Sequence, residues 1–334
     1  MPFERANIIQ IRPNVYLIDD AGESTCFLIT GSERALLVDT ANGYEDLSEI
    51  VRSLTDLPVI VVNTHGHGDH IFGIFGLLST MGLLGRSSVL NIYAPAEFRR
   101  VLDFFMENFA EGIKFEINFV PLEMDSPQVI YDNRTVELLA FPLNHRVSTF
   151  GFIIREKMPR YNVSKQAIAR YGLSIAEIGA LKRGEDVVRP AGNLTEPSAE
   201  NDYRPQSGTS EPLVIPFAEA AYLPYQPRSY AYCSDTAPFP ELARWIKGVN
   251  LLYHEATFPS SMGEMAEKTF HSTTLQAAQT AADANVGHLV VGHYSSRFPS
   301  VDFYLDELKT IFPATSLAHD GAVFEIPLVK LNDK

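Results

Sequence analysis

The chain has 334 residues, 46% hydrophobic and 20% charged, with 21 Gly and 21 Pro; this is ordinary globular composition, enough for about two domains or one large α/β unit, and it excludes disorder and collagen. No apolar run nears the roughly 18 residues of a membrane span and residues 1–20 lack a basic-then-apolar pattern, so the expectation is a cytoplasmic protein with no membrane contact. A formal charge of −14 excludes binding a polyanion through the whole surface, and two cysteines, Cys26 and Cys233, exclude a disulfide framework or Cys-rich zinc site, leaving nine histidines to carry any metal.

In chain order, residues 14–18, 25–30 and 35–39 read as strands separated by Asp-Asp-Ala-Gly and Gly-Ser-Glu. Residues 45–54 read as a helix, 59–62 as a buried strand after Pro58, and 71–84 as a largely buried helix. Over residues 96–110, Phe98, Val101, Leu102, Phe105, Met106 and Phe109 recur at helical spacing on one face, which predicts a core-facing helix stopped at Gly112. Strands are expected at 116–120, 135–141 and 150–155.

The character then changes. Between residues 155 and 190 eight Lys or Arg face four acids, a local +4 in a chain otherwise at −18. Ser164 is a candidate cap for a short helix, and Ser174 with Glu177 makes a capping-box pattern for a second. Residues 189–228 are rich in Pro, Ser, Asn and Glu, the composition of a protruding arm and a loosely ordered linker. Strands at 230–233 and 250–253, a helix at 273–284 after a Ser272 cap, a buried strand at 288–291, a helix at 302–312 ended by Pro313 and a last strand at 322–326 complete the chain. Strands with interspersed helices in both halves predict two packed β-sheets with helices on both outer faces.

The strongest chemical signal is Thr64-His65-Gly66-His67-Gly68-Asp69-His70, directly after the strand at 59–62. Three imidazoles and a carboxylate on a glycine-loosened loop can converge on a metal ion. Three further donors follow predicted strands: His145 in Pro142-Leu143-Asn144-His145-Arg146, Asp235 in Tyr232-Cys233-Ser234-Asp235-Thr236, and His293 in Val291-Gly292-His293-Tyr294. A lone histidine is more often a satisfied core or surface residue; four loops carrying donors reverse that preference.

The His-x-His-x-Asp-His pattern resembles the metallo-β-lactamase fold superfamily, which implies an α+β, four-layer αβ/βα arrangement. The resemblance further implies that His65, His67 and His145 hold one metal, that Asp69, His70 and His293 hold a second, and that Asp235 bridges them. Such paired ions activate a shared water to hydroxide near neutral pH. Two divalent ions per chain are expected; zinc is the natural occupant of an N/O site, with manganese or iron as alternatives.

Within that superfamily the chain resembles ribonuclease Z, the tRNA 3′-processing endonuclease. The likeness spans about residues 63–327 and rests on residues 71–86, 142–146, His254-Glu255-Ala256-Thr257-Phe258, His271-Ser272-Thr273 and Gly292-His293-Tyr294-Ser295-Ser296-Arg297-Phe298. It implies that Asp69 orients or deprotonates the attacking water, that His271 protonates the leaving ribose oxygen, and that Glu255 bonds the other nitrogen of His271. His254 is read as supporting the site and not as a ligand; His288 and His319 have no assigned role.

Ribonuclease Z carries an arm that grips tRNA, and residues 155–228 occupy the corresponding place. The resemblance therefore implies one catalytic domain over 1–334 with an inserted substrate-binding arm, and substrate contacts from Arg160, Lys165, Arg170, Lys182, Arg183 and Arg297. Tyr161 and Tyr171 could stack on RNA or pack the arm's own core. At the start the likeness breaks: Val38-Asp39-Thr40-Ala41-Asn42-Gly43 replaces the family's Asp-x-Gly-Glu-Gly-Thr turn, and residues 14–70 look more like general hydrolases of the superfamily. Asp39 is expected to buttress the metal loop without binding metal. The reading is hydrolysis of precursor tRNA just after its 3′ end by a homodimeric, two-metal enzyme. The rivals are a thioester, lactone or phosphodiester hydrolase and a non-catalytic RNA-binding protein.

Overall fold

The computed structural model describes residues 6–21, 24–63, 71–190, 212–319 and 322–331. The chain divides into two compact units, Met1–Asp132 with Leu138–Ile154 and Ser229–Glu325, and Asn133–Glu137 with Arg155–Arg228 and Ile326–Lys334.

Two seven-stranded sheets organise the fold. The first runs in chain order: β1 (Ala6–Arg12), β2 (Val15–Asp20), β3 (Ser24–Thr30), β4 (Ala35–Val38), β5 (Val59–Val62), β6 (Leu90–Pro95) and β7 (Ile117–Leu122). Hairpin-length connections make β1 to β4 antiparallel, whereas β4 to β7 are parallel because helices intervene. Those helices are α1 (Leu47–Leu54), α2 (Gly73–Leu83) and α3 (Phe98–Phe109). The second sheet contains β8 (Gln128–Asp132), β9 (Val136–Leu143), β10 (Thr149–Glu156), β15 (Ser229–Cys233), β16 (Leu251–Glu255), β17 (Leu289–Gly292) and β18 (Thr315–Leu317), in the order β18-β17-β16-β15-β10-β9-β8. Strands β15 to β18 are parallel, connected through α7 (Pro240–Trp245), α8 (Gly263–Thr269), α9 (Thr274–Ala284) and α10 (Asp302–Ile311).

Three apolar clusters separate the layers. Leu37, Val61 and Ile92 of the first sheet pack with Ile50, Leu77 and Leu102 of its helices. Ala231, Leu252 and Leu289 of the second sheet pack with Leu242, Ala277 and Leu308 of its own. Val38, Val62 and Leu122 meet Leu138, Ala140, Phe150 and Phe152 between the sheets. Every residue of β5 and β17 is buried, as central parallel strands covered on both faces require. The order helix, sheet, sheet, helix is the four-layer arrangement expected from sequence.

Local chemistry sets the helix ends. The Asp46 carboxylate accepts from the Ser48 and Glu49 N–H groups, so α1 starts at Leu47 and not at 45. The cap of α9 is Thr273, reciprocated by Gln276, and not Ser272. In α3 only Phe98 and Leu102 are fully buried; Val101 and Phe109 of the predicted apolar face are exposed. Residues 322–326 form no strand, contrary to expectation, while β1, β6, β8 and β18 add strands that the sequence reading omitted. No helix among the described residues is long and apolar enough to cross a membrane.

The second unit holds β11 (Asn162–Val163) paired with β14 (Ala221–Tyr222), β12 (Val187–Arg189) paired with β13 (Leu213–Ile215), and helices α4 (Lys165–Tyr171), α5 (Ile175–Lys182) and α6 (Phe217–Ala220). Ser164 caps α4 and the Ser174–Glu177 capping box starts α5, both as expected. Residues 212–222 are regular structure, so the linker predicted over 189–228 is shorter than expected; residues 191–211 lie outside the described residues. Tyr171 packs with Ala167, Leu181 and Ile215, and Tyr161 meets Phe217 edge-on at 5.4 Å, so both serve the unit's own core.

Candidate active site

Asp235, Glu255 and His293 stand at the carboxyl ends of parallel strands, where connecting loops gather in sheets of this kind. Strands β15, β16 and β17 lie side by side with Cys233, His254 and Val291 opposite one another. Asp235, Glu255 and His293 therefore emerge together, and His145 follows β9. Residues 64–70 lie outside the described residues, so the expected ligands His65, His67, Asp69 and His70 are not placed.

Asp235 is buried, and its two carboxylate oxygens face different histidines: Oδ1 is 3.3 Å from His293 Nε2 and Oδ2 is 3.8 Å from His145 Nε2. His145 Nδ1 lies 2.9 Å from the Phe270 carbonyl oxygen. A carbonyl only accepts, so Nδ1 carries the proton and the lone pair of Nε2 faces the carboxylate. Two electron-rich groups so close repel unless a cation stands between them. His293 has the same form, with Nδ1 2.8 Å from Thr257 Oγ1 and Nε2 toward Asp235. A metal-binding imidazole characteristically has its outer nitrogen bonded in this way, and the donor set fits divalent ions. His293 also adopts a left-handed backbone (φ +59°), uncommon for a residue other than glycine.

Beside this triad lies an acid–base pair. Glu255 is fully buried and accepts five hydrogen bonds. Oε1 takes Thr236 N–H at 3.0 Å, His271 Nδ1–H at 2.8 Å and Ser272 N–H at 3.1 Å. Oε2 takes Thr257 N–H at 2.9 Å and the Thr257 hydroxyl at 2.8 Å. Burial pulls the His271 pKa down, but the bond and charge of Glu255 outweigh it, so the ring holds its proton more readily than an ordinary histidine. The His271 ring sits 5.1 Å from that of His145 and 5.3 Å from that of His293. With Nδ1 committed to Glu255, Nε2 is the nitrogen available to exchange a proton.

Surrounding groups lock this pair. The Ser272 hydroxyl donates to Thr236 O at 2.7 Å, which is its role in place of the predicted cap. His254 is fully buried in β16 and donates Nδ1–H to Glu255 O at 2.6 Å; desolvation lowers its pKa. His288 contacts Ser316 Oγ at 3.0 Å, away from these residues in sequence and bonding. Asp39 is buried at a left-handed turn (φ +59°), its N–H donating to Val62 O. Sequence reasoning assigned no role to Thr257, Thr236 or Phe270, although Thr257 stood within the quoted His254–Phe258 motif.

Of the predicted substrate contacts, Arg297 is exposed, with its guanidinium 5.9 Å from the Phe258 ring, itself 6.2 Å from His271. In the second unit, Arg160, Lys165, Arg170, Lys182 and Arg183 are all exposed. Lys165 and Lys182 line a cavity of about 250 Å³ with Asn162, Ile168, Ile178 and Tyr222. Part of the local positive charge is internally matched: Arg183 pairs with Glu185, Arg189 with Glu177 and Arg155 with Glu137.

Residues 19–138 match the metallo-beta-lactamase superfamily. A Phocaeicola vulgatus protein named Ribonuclease Z is 33% identical over 308 residues, covering 92% of this chain and 93% of its own length. A Bacteroides thetaiotaomicron protein of the same name is 36% identical over 263 residues, covering 79% and 77%. Among solved structures, the short form of human tRNase Z is similar with a TM-score of 0.56 at 19% identity, covering 91% of this chain and 93% of that one. The metallo-beta-lactamase fold protein YhfI from Bacillus subtilis gives 0.55 at 16% identity, covering 90% and 91%.

Proposed function

The chain belongs to the ribonuclease Z family, metal-dependent hydrolytic endoribonucleases of tRNA 3′ processing, and we propose that it cuts precursor tRNA just after the 3′ end through the residues gathered at Asp235 and Glu255. The observation that carries the residue assignment is the Asp235 carboxylate set between two imidazole nitrogens with the His271–Glu255 pair alongside.

His145, Asp235 and His293 would hold divalent ions with His65, His67, Asp69 and His70, and zinc is the occupant that this donor set favours. When bound, such ions offset charge on the phosphoryl oxygens and acidify the attacking water. Asp69 orients that water. His271 gives its Nε2 proton to the departing ribose 3′-oxygen, leaving a 3′-hydroxyl on the tRNA and a 5′-phosphate on the trailer. Glu255 stabilises the protonated ring before transfer and fixes its direction through Nδ1. Lys165 and Lys182, with Arg160, Arg170 and Arg183, contact phosphates of the tRNA body, and Arg297 contacts backbone beside His271. We read the protein as a cytoplasmic homodimer, a reading supported by the family alone.

The test is cleavage of a 3′-extended precursor tRNA by the zinc-loaded protein, compared with Asp69→Ala and His271→Ala. Asp69→Ala is expected to lose nearly all activity, and His271→Ala to lose turnover by about 10²-fold or more with little change in tRNA affinity. Wild-type protein that ignores the precursor yet opens a lactone or thioester refutes the reading.

A further inference from the structure

Thr257 bonds both Glu255 and His293. Its hydroxyl lies 2.8 Å from Glu255 Oε2, 2.8 Å from His293 Nδ1 and 3.2 Å from His271 Nδ1. Among the described residues it thus joins the candidate metal ligand to the acid pair.

The direction of each bond follows from donor counting. Both oxygens of Glu255 face backbone N–H groups, so the carboxylate accepts, and the single Thr257 hydroxyl proton goes to Oε2. With that proton committed, Oγ1 can only accept from an imidazole. His293 must then carry its proton on Nδ1, which leaves the Nε2 lone pair directed at Asp235. The Nδ1–H of His271 is already given to Glu255 Oε1 at 2.8 Å, so its longer approach to Thr257 is secondary. The Thr257 backbone is held independently: its carbonyl accepts from Tyr304 Oη–H and Ser295 N–H, both at 3.1 Å.

We propose that Thr257 is a positioning residue whose hydroxyl fixes the metal-binding tautomer of His293 and ties that ligand, through Glu255, to the proton donor His271. This rests on the assignment of His293 and His271 above. Loss of an outer partner of a metal-bound histidine typically costs 10–100-fold in metal affinity or activity, which sets the expected scale. A methyl-packing role for Thr257 would make the opposite prediction, because valine keeps the shape and serine keeps the hydroxyl.

The experiment compares full-length wild type, Thr257→Val and Thr257→Ser. Zinc affinity is measured by chelator competition, and kcat and KM on a 3′-extended precursor tRNA. Thr257→Val is expected to weaken zinc binding and lower kcat, each by about 10–100-fold, with KM within about twofold; Thr257→Ser is expected to restore both. A valine variant equal to wild type, or a serine variant as impaired as the valine one, overturns the proposal. A second measurement needs no variant: in zinc-loaded wild type labelled with 15N-histidine, the His293 Nδ1–H should exchange slowly with water, and fast exchange overturns the proposal. Wild type that neither binds zinc nor cuts the precursor removes the functional reading and this inference together. Active wild type with an unimpaired valine variant removes this inference alone.

Discussion

Replacing Glu255 by glutamine separates its charge from its shape. The carboxylate accepts from five donors, three at Oε1 and two at Oε2. Glutamine has a single accepting oxygen. If that oxygen keeps the three donors at the Oε1 position, the amide nitrogen confronts Thr257 N–H and leaves a buried backbone donor without an acceptor, at about 1–3 kcal/mol. The bonds that remain lose charge assistance, roughly half their strength, so the total destabilisation should be about 3 kcal/mol. The variant should fold with a lower melting temperature. In the site, His271 keeps an acceptor for Nδ1 but loses the negative charge that outweighs its burial, so its proton is held less firmly. With orientation retained and charge lost, the penalty belongs near the lower end of the general-acid range, a fall in kcat of about 10²-fold. The assay is single-turnover cleavage of a saturating 3′-extended precursor tRNA by zinc-loaded protein, beside thermal denaturation of the same samples. Turnover within about threefold of wild type, with zinc bound, refutes the assignment of Glu255 as the partner of the proton donor.

A Cβ on Gly73 would lie 1.6 Å from Thr40 O, so Gly73→Ala must displace the turn at 39–43 and should cost about 3 kcal/mol in thermal or urea unfolding. Gly76→Ala in the same helix meets no atom within 4 Å and should be neutral or stabilising by up to ~1 kcal/mol, and equal effects at the two sites refute the packing argument. The hydrogen bond from Arg189, aided by those from Ser174, lowers the Glu177 pKa from the ordinary 4.5 to about 2 against a smaller burial effect. A depressed folded-state pKa stabilises fully above pH 4.5 and fades as pH falls toward 2. The stability gap between wild type and Glu177→Gln, read by melting temperature, should close across that window; a constant gap refutes the pairing. Lys165→Ala with Lys182→Ala should weaken precursor tRNA binding and flatten its salt dependence, by about one unit of log–log slope for each phosphate no longer neutralised. An unchanged slope excludes both residues from the RNA interface.

Where donor chemistry was concentrated, the sequence could be read directly. Asp235 and His293 were each recognisable as a donor after an apolar strand, and the structure brings them within 3.3 Å of each other. The Glu255–His271 bond was anticipated from the resemblance, although 16 residues separate the pair in sequence. Ser272 and Thr273 are both competent caps, and the discriminating signal was Gln276, three residues after Thr273. The face of α3 that packs is smaller than its periodicity implies, since Val101 lies at the edge of the arc and Phe109, although within it, is the last residue of the helix. Residues 322–326, Ala-Val-Phe-Glu-Ile, carry the β-branched and aromatic side chains common in strands, but a strand exists only where a neighbour supplies the ladder, which local composition does not encode. Thr257 was invisible as a functional group because a single hydroxyl has no period and no spacing; its meaning comes from three partners in three segments.

The pairing of β15, β16 and β17 constrains how this protein can change over time. Successive residues of a strand point to opposite faces. Losing one codon ahead of Glu255 within Leu251–Glu255 would carry the carboxylate to the place of the His254 imidazole, on the opposite face, and bring Ala256 to the place of the carboxylate. Insertions and deletions among homologues should therefore gather in the segments that join these strands, while the strands themselves keep a fixed count of residues ahead of Asp235, Glu255 and His293.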